Sequence, residues 1–489
     1  MTFPHSTQWR TMLHKGEISS RDLIEESFNK INKYDPKLNA LISHYYEESI
    51  HLSRKSDKRI KNNDRGAMVG LPVALKDNFN WSGSHMTCGS KILKGYISNY
   101  NATVVNKLLN AGAIPIAKTN MDEFAMGSSG EFSAYGPTLN PWDNRRVSGG
   151  SSSGSVVSIS AQYVVSALGS DTGGSVRLPG SFCNVTAMRP TYGISSRYGL
   201  TSMASSLDVV GPCALSAFEV GALLSVIAGE DIQDSTSIKL PRCENLYPLR
   251  PLNLKGIRIG LPKEYFTEGI DPAVRQVIET SIREFENLGA VMVSVTLPHT
   301  SYAIDTYYLI CVAEVSSNLA RFDGIRFGHR TSKTSTLLNL IAKTRDEGLG
   351  EEAKRRILLG AFCLNQGHVD EYYYRALKAR NLITRDFNEA FTNVDFLLTP
   401  VSPSVAFPLG AKSKDPAEMY LSDVYSAATS LSGLPCISVP GGFVRLPNSE
   451  YQLPVGIQLI APIRSDVKLL ELAHAFQLSN SYHLTQPKL

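Results

Sequence analysis

The sequence predicts a layered α/β protein with a mainly parallel or mixed sheet. Three observations carry that expectation. From Gly70 onward, short apolar runs alternate with runs of helical period. The 489 residues are 43% hydrophobic and 19% charged, which is enough apolar mass for a large core and too little charge for disorder. No internal repeat breaks the alternation, so a solenoid is not expected.

The elements follow in chain order. Leu23, Ile24, Phe28, Ile31 and Leu38 recur at helical spacing behind Ser20, a suitable N-cap before Asp22. Residues 1–65 therefore predict a helical segment packed on the core, and Lys and Asn crowd 55–65 into a linker or exposed turn. Residues 66–489 form the expected catalytic domain. Its predicted strands are LPVAL (71–75), IPIAK (114–118), YVVSALGS (163–170), GIRIGLP (256–262), AVMVSVTLP (290–298), DFLLTP (395–400), CISVP (436–440) and VGIQLIAP (455–462). Helices are predicted over ATVVNKLLNAGA (102–113) and near 271–289, 370–393 and 466–478.

Composition excludes several functions. Lys+Arg is 49 and Asp+Glu 45, a net charge of +4, which gives no general nucleic-acid or membrane footprint. No run reaches the ~18 apolar residues of a membrane span. The start lacks the apolar stretch of a secretory signal. The seven cysteines are scattered without a C-x-x-C, so neither a disulfide framework nor a zinc site is expected, and a reducing compartment fits. No histidine lies between His85 and His299.

That gap bears on the Gly/Ser island SGGSSSGS (148–155). A flexible linker is one reading, but the island sits mid-domain and the apolar run VVSISAQ follows at once. A phosphate loop is another: Gly149 and Gly154 have the spacing, but Ser155 stands where the lysine must be. Residues 150–154 also match G-x-S-x-G, yet no strand precedes them, and the histidine base would have to be as distant as His474. The remaining reading joins Lys76, at the end of an apolar strand, with Ser151 in the island and Ser175 in the turn GSDTGGSVR (169–177). A neutral lysine can serve a serine as base. Its reference pKa of ~10.4 must fall by ~3 units, and desolvation against 71–75 can supply that. Strand alternation sends Asp77 to the opposite face, where it does not oppose the shift. Ser151 would relay the proton from Ser175 to Lys76. The glycines before Ser175 let backbone N–H groups converge on an oxyanion. Each residue also has a plain alternative, as a rim charge or a turn former.

LKDN around Lys76, GGSSSGS and GSDTGGSVR closely resemble the amidase signature family. The resemblance implies an α/β amidase signature fold, a large mixed β-sheet covered by helices on both faces. It makes Lys76 the base, Ser151 the bridging serine in a cis peptide, and Ser175 the acyl nucleophile. The backbone of Thr172, Gly173 and Gly174 would form the oxyanion hole, with no metal. KTNMDEFAMGSS (118–129), RPTYGISSRYGL (189–200), SSLD (205–208) and SSNLARFDGIRFGHR (316–330) resemble, within the family, the A subunits of tRNA-dependent amidotransferases. That likeness implies a glutaminase subunit with no cofactor of its own. It would work with B and C subunits, and the B subunit would use ATP and Mg and hold most of the Glu-tRNA(Gln) contact. Three features depart from the family pattern: Ser153, Leu178 and the glycine-free stretch 184–188.

Glutamine carries an α-carboxylate and an α-ammonium, so a selective pocket needs one fixed cation and one fixed anion. The resemblance maps these to Arg356 and Asp423, with Tyr307 and Ser128 beside them. The register is open by one at Arg355/Arg356 and Tyr307/Tyr308, and a solvated helix face is the plain alternative for the arginines. Two other functions stand beside this one: a stand-alone amidase on a small acyl or peptide amide, and a non-catalytic scaffold. LKGYISNYNATVV and LPHTSYA resemble organellar family members, which implies the mitochondrial matrix, with the bacterial cytoplasm as the alternative.

Overall fold

A computed structural model describes residues 5–266, 268–332, 336–412, 415–446 and 451–489. The strands are β1 (Leu41–His44), β2 (Pro72–Lys76), β3 (Ile114–Thr119), β4 (Ser166–Asp171), β5 (Thr186–Arg189), β6 (Val209–Ala214), β7 (Arg258–Pro262), β8 (Val291–Val295), β9 (Phe396–Pro400), β10 (Cys436–Arg445) and β11 (Gln452–Ile460). They form one 11-stranded sheet in the order β1-β3-β2-β4-β6-β5-β10-β11-β9-β7-β8. The sheet is mixed as expected: β2 runs parallel to β3 and β4, and β7 parallel to β8 and β9, while the remaining pairs are antiparallel.

Every residue of β2 is buried, and successive side chains join different apolar clusters. In β2, Val73 and Leu75 join an apolar cluster with Val220, Leu223 and Leu224 of the helix Ala217–Ile227. Ala74, between them, joins a second cluster with Val156 and Val157 of the helix Ser153–Ser160 and Ile24 and Phe28 of the helix Ser20–Leu38. Successive strand side chains point to opposite faces, so both faces must be covered.

Several sequence expectations need correction. The helix cap is Ser19, not Ser20: Ser19 Oγ accepts from the Asp22 N–H and the Asp22 carboxylate accepts from the Ser19 N–H, a reciprocal box. Residues 5–65 are not purely helical, and 1–4 lie outside the described residues. Asn39 takes a left-handed φ of 52° that stops the helix, and Leu41–His44 then pairs antiparallel with β3. The segment thus supplies an edge strand to the sheet. Much of 55–65 is not a linker but the last turns of the helix Tyr46–Lys61, where Lys58, Arg59 and Lys61 complement the helix dipole. Strands β5 and β6 were not anticipated. Gly211 and Pro212 make β6 read as a turn, yet it lies between β4 and β5.

The topology places the chemistry. Strands β2 and β4 are parallel neighbours, with Leu75 opposite Leu168. Their carboxyl ends, Lys76 and Ser170–Asp171, therefore emerge side by side at one edge of the sheet, where α/β folds build their sites.

Candidate active site

Lys76 is fully buried at the end of β2. Its Nζ lies 2.7 Å from Ser151 Oγ, 2.9 Å from Ser152 Oγ and 3.0 Å from Ser170 Oγ. Burial pushes its pKa down to about 7, against a partly offsetting pull from Asp122, Asp171 and Asp208. Asp77 is turned away, as strand alternation predicts, and pairs with Lys118 at 3.1 Å.

The hydroxyl protons distinguish the three serines. Ser152 Oγ donates to the Ser170 carbonyl at 3.1 Å, so toward Lys76 it can only accept. Ser170 Oγ also accepts from Asn78 Nδ2 at 3.0 Å. Ser151 Oγ has no partner but Lys76 among the described residues. It has both a free proton for a neutral amine and a lone pair to take another proton.

The island is a packed turn rather than a linker. All eight residues of 148–155 are buried, and the Gly150–Ser151 peptide is cis. A Cβ on Gly150 would sit 1.9 Å from Asp122 Oδ2, so a side chain is excluded there. Asp122, within the NMDEF string, also accepts from the N–H groups of Gly130 and Phe132 at 3.0 and 2.9 Å. Ser153 opens the following helix and bonds Thr138 Oγ1 at 3.2 Å, so its departure from the family pattern is accommodated.

Ser175 lies in the turn after β4, 7% exposed. The Ser152 N–H donates to the Ser175 carbonyl at 3.0 Å, which laces the two serine turns together. Ser175 Oγ itself makes no hydrogen bond among the described residues, so only the Lys76–Ser151 half of the expected relay is closed. The N–H groups of Thr172, Gly173, Gly174 and Ser175 have no partner among the described residues, which leaves them available to an oxyanion. Ser426 Oγ donates to the Gly173 carbonyl. Because a trans peptide holds C=O and N–H on opposite sides, this turns the Gly174 N–H away from Ser426. The other wall is Tyr307, whose ring would lie 2.5 Å from a Cβ on Gly173.

Sequence reasoning missed what holds this turn. Asp171 is buried and pairs with Arg177 at 2.9 Å and Arg189 at 3.3 Å. Burial alone would raise its pKa, but the two guanidiniums hold it down at about 2. Arg177 also bonds Thr429 Oγ1, Ser430 Oγ and Gln458 Oε1, tying the turn to the C-terminal half. Asp208 of the SSLD string accepts from Thr172 Oγ1 at 2.7 Å. Asp171→Ala strands two buried cations and should cost about 3–5 kcal/mol. Urea unfolding should show it as a large fall in midpoint; an unchanged midpoint would refute the anchoring role. Asn184, first in the glycine-free stretch 184–188, takes the left-handed φ of 60° itself as the C-cap of the helix Arg177–Cys183. Leu178 of that helix is fully buried in the second apolar cluster.

The expected substrate groups cluster nearby. Asp423 is buried and accepts from Ser128 Oγ at 2.8 Å and Tyr308 OH at 3.2 Å. Burial pushes its pKa up to about 7. Its Oδ1 lies 3.6 Å from where a Cβ would stand on Gly174, beside the serine turn. Arg356 is buried over the rings of Tyr308 and Tyr420, whereas Arg355 side-chain exposure is 44%. Of the two arginines, Arg356 is the one turned into the protein. Tyr307 and Tyr308 divide the work: the first packs on Gly173 and the second bonds Asp423. Beyond Arg356 and Tyr420 lies a cavity of about 330 Å³. His474 packs on Phe218, and Ser152, the central serine of the G-x-S-x-G match, bonds Lys76 and the Ser170 carbonyl instead of a histidine, so the elbow reading has no base. Among the described residues no group of three His, Cys, Asp or Glu side chains could hold a metal.

The model of the family called Amidase matches residues 22–470. The chain belongs to the amidase signature family. Within it, the chain is 48% identical over 474 residues to the A subunit of glutamyl-tRNA(Gln) amidotransferase from Carboxydothermus hydrogenoformans, covering 97% of this chain and 96% of that one. The crystal structure of the Thermotoga maritima A subunit of the same enzyme matches with a TM-score of 0.77 at 36% identity, over 96% of this chain and 95% of that chain. The native peptide amidase of Stenotrophomonas maltophilia is an amidase-family neighbour at a higher TM-score, 0.83, but lower identity, 28%, over 100% of this chain and 99% of that one. The sheet is thus common to the family, and sequence separates its branches.

Proposed function

We propose that the chain is the glutamine-hydrolysing A subunit of a glutamyl-tRNA(Gln) amidotransferase, acting with B and C subunits. The observation that carries this reading is that Tyr308 joins two buried charges: its hydroxyl bonds Asp423 beside the serine turn and its ring lies under Arg356, one charge for each end of a free amino acid. The near-full-length likeness to A subunits supports the same reading. A stand-alone peptide amidase has less need of that pair.

In this reading Ser175 Oγ attacks the amide carbon of glutamine. Its proton passes to Ser151 Oγ as Ser151 gives its own to neutral Lys76. The N–H groups of Thr172, Gly173 and Gly174 hold the oxyanion. The tetrahedral adduct collapses as the proton on Lys76 returns through Ser151 to the leaving nitrogen, releasing ammonia and leaving a γ-glutamyl ester on Ser175. Water then attacks the ester through the same relay and frees glutamate. Ammonia passes to the B subunit, which amidates Glu-tRNA(Gln) using ATP and Mg; this chain needs no cofactor for its own step. The deciding assay compares ammonia release from glutamine by the chain alone and with B and C subunits. Full activity of the chain alone on varied amides would favour the stand-alone amidase.

Asp423→Ala removes the partner of the substrate ammonium in a desolvated site, at a cost of about 2–5 kcal/mol. The kcat/KM for glutamine should fall roughly 30- to several-thousand-fold. Amidation with ammonium as nitrogen donor should persist in the assembled complex. A parallel loss of both activities would make Asp423 structural.

The relatives named above are bacterial, and among the described residues no helix is long and apolar enough to cross a membrane. A mitochondrial-matrix setting rests on the strings LKGYISNYNATVV and LPHTSYA alone. Cell fractionation with detection of the partner subunits tests it.

A further inference from the structure

Glu352 is buried on the helix Glu351–Cys363, one turn before Arg356. Its Oε1 accepts from Arg356 Nε at 2.8 Å and from Tyr420 OH at 2.9 Å, and its Oε2 accepts from Arg355. Tyr420 stacks on Tyr308 with ring centroids 3.9 Å apart, and the Arg356 guanidinium lies over both rings, 5.2 and 5.4 Å from their centroids. The guanidinium is therefore fixed in position by a carboxylate at Nε and in tilt by two aromatic faces.

The donor count is uneven. An arginine offers five N–H groups. Glu352 takes the one on Nε, and Nη1 has only the Cys311 sulfur at 4.0 Å. Nη2 has no partner among the described residues. A buried arginine with spare donors at its outer end is poised for a second anion, and Arg356 lines the 330 Å³ cavity. Glu352 does not compete for those donors. Its other oxygen is taken by Arg355.

We propose that Glu352 is the positioning residue for substrate recognition: it holds Arg356 by Nε so that Nη1 and Nη2 meet the α-carboxylate of glutamine. This rests on the reading of Arg356 as the carboxylate site. The geometry assigns Glu352 to orientation, so its removal should weaken binding more than chemistry.

The test uses the assembled complex and two amides, glutamine and 4-aminobutanamide, which lacks the α-carboxylate. Glu352→Ala should raise the KM for glutamine roughly 10- to 100-fold, the range for losing a hydrogen bond to a charged group, with kcat changed less than about threefold. The kcat/KM for 4-aminobutanamide should change less than about threefold. Glu352→Gln, whose amide oxygen still accepts from Nε, should restore most of the glutamine KM. Glu352→Met keeps the volume without an acceptor and carries the test if the alanine variant does not fold. An unchanged glutamine KM, or equal losses on both amides together with a fall in ammonium-dependent amidation, would overturn the proposal. Arg356→Ala separates the two ideas. If it keeps the preference for glutamine, the carboxylate site itself is misassigned. If it loses that preference while the Glu352 variants keep it, only the positioning role fails.

Discussion

Replacing Ser175 with alanine should abolish glutamine-dependent amidation, by on the order of 10⁴- to 10⁶-fold, while ammonium-dependent amidation survives. Ser175 stands in a turn whose four N–H groups have no partner among the described residues, so an adduct on its oxygen would have its oxyanion held. Water cannot substitute, because the covalent ester is the intermediate that splits a difficult hydrolysis into two easier steps. The fold should persist: Ser175 Oγ makes no hydrogen bond among the described residues, and its loss leaves no buried partner stranded. Circular dichroism and the ammonium-dependent rate check the fold. Mass spectrometry of enzyme quenched during turnover checks the chemistry. An acyl group on Ser152 or any other serine would refute the assignment.

The site was more legible in the sequence than the sheet that carries it, for physical reasons. Lys76, Ser151 and Ser175 lie in short strings that match a family pattern, and the missing histidine pointed to a lysine base where the residues alone left plain alternatives open. Asp77 could be sent to the far face by strand alternation alone, and it bonds Lys118 there. What stayed hidden depends on contacts distant in the chain. Nothing local marks Arg177 as the cation that neutralises Asp171 and reaches Thr429, Ser430 and Gln458. Likewise, Ser152 and Ser170 look like any serines until β2 and β4 lie side by side. Local chemistry also misled in the sheet. Gly211 and Pro212 advertise a turn, but burial between β4 and β5 overrides that preference in β6. The apolar content of β1 is too short to announce a strand, and β1 forms because the helix before it stops at Asn39 beside the open edge of β3.

Lys76→Ala should lower glutamine hydrolysis by roughly 10²- to 10⁴-fold, the usual contribution of a positioned base, and Lys76→Arg should not restore it. Arginine keeps the charge but cannot be deprotonated in a protein. Lys76→Met preserves the volume in the buried pocket and serves as the fold control. The pH dependence supplies an independent readout. Burial brings the Lys76 pKa down to about 7, so the free amine is lost as pH falls through about 7. Asp423 has its pKa raised to about 7, so the carboxylate that would pair with the substrate ammonium is lost over the same range. Both groups must be deprotonated, and both signs agree: kcat/KM should fall on the acid side, with a limiting log slope of about 2. In Asp423→Ala the residual activity should keep only the lysine limb, with a slope of about 1. Substantial activity in Lys76→Arg, or a kcat/KM flat between about pH 6 and 8, would mean that residue 76 supplies only positive charge. The proton would then need another acceptor, and among the described residues no group but Lys76 pairs with Ser151 Oγ.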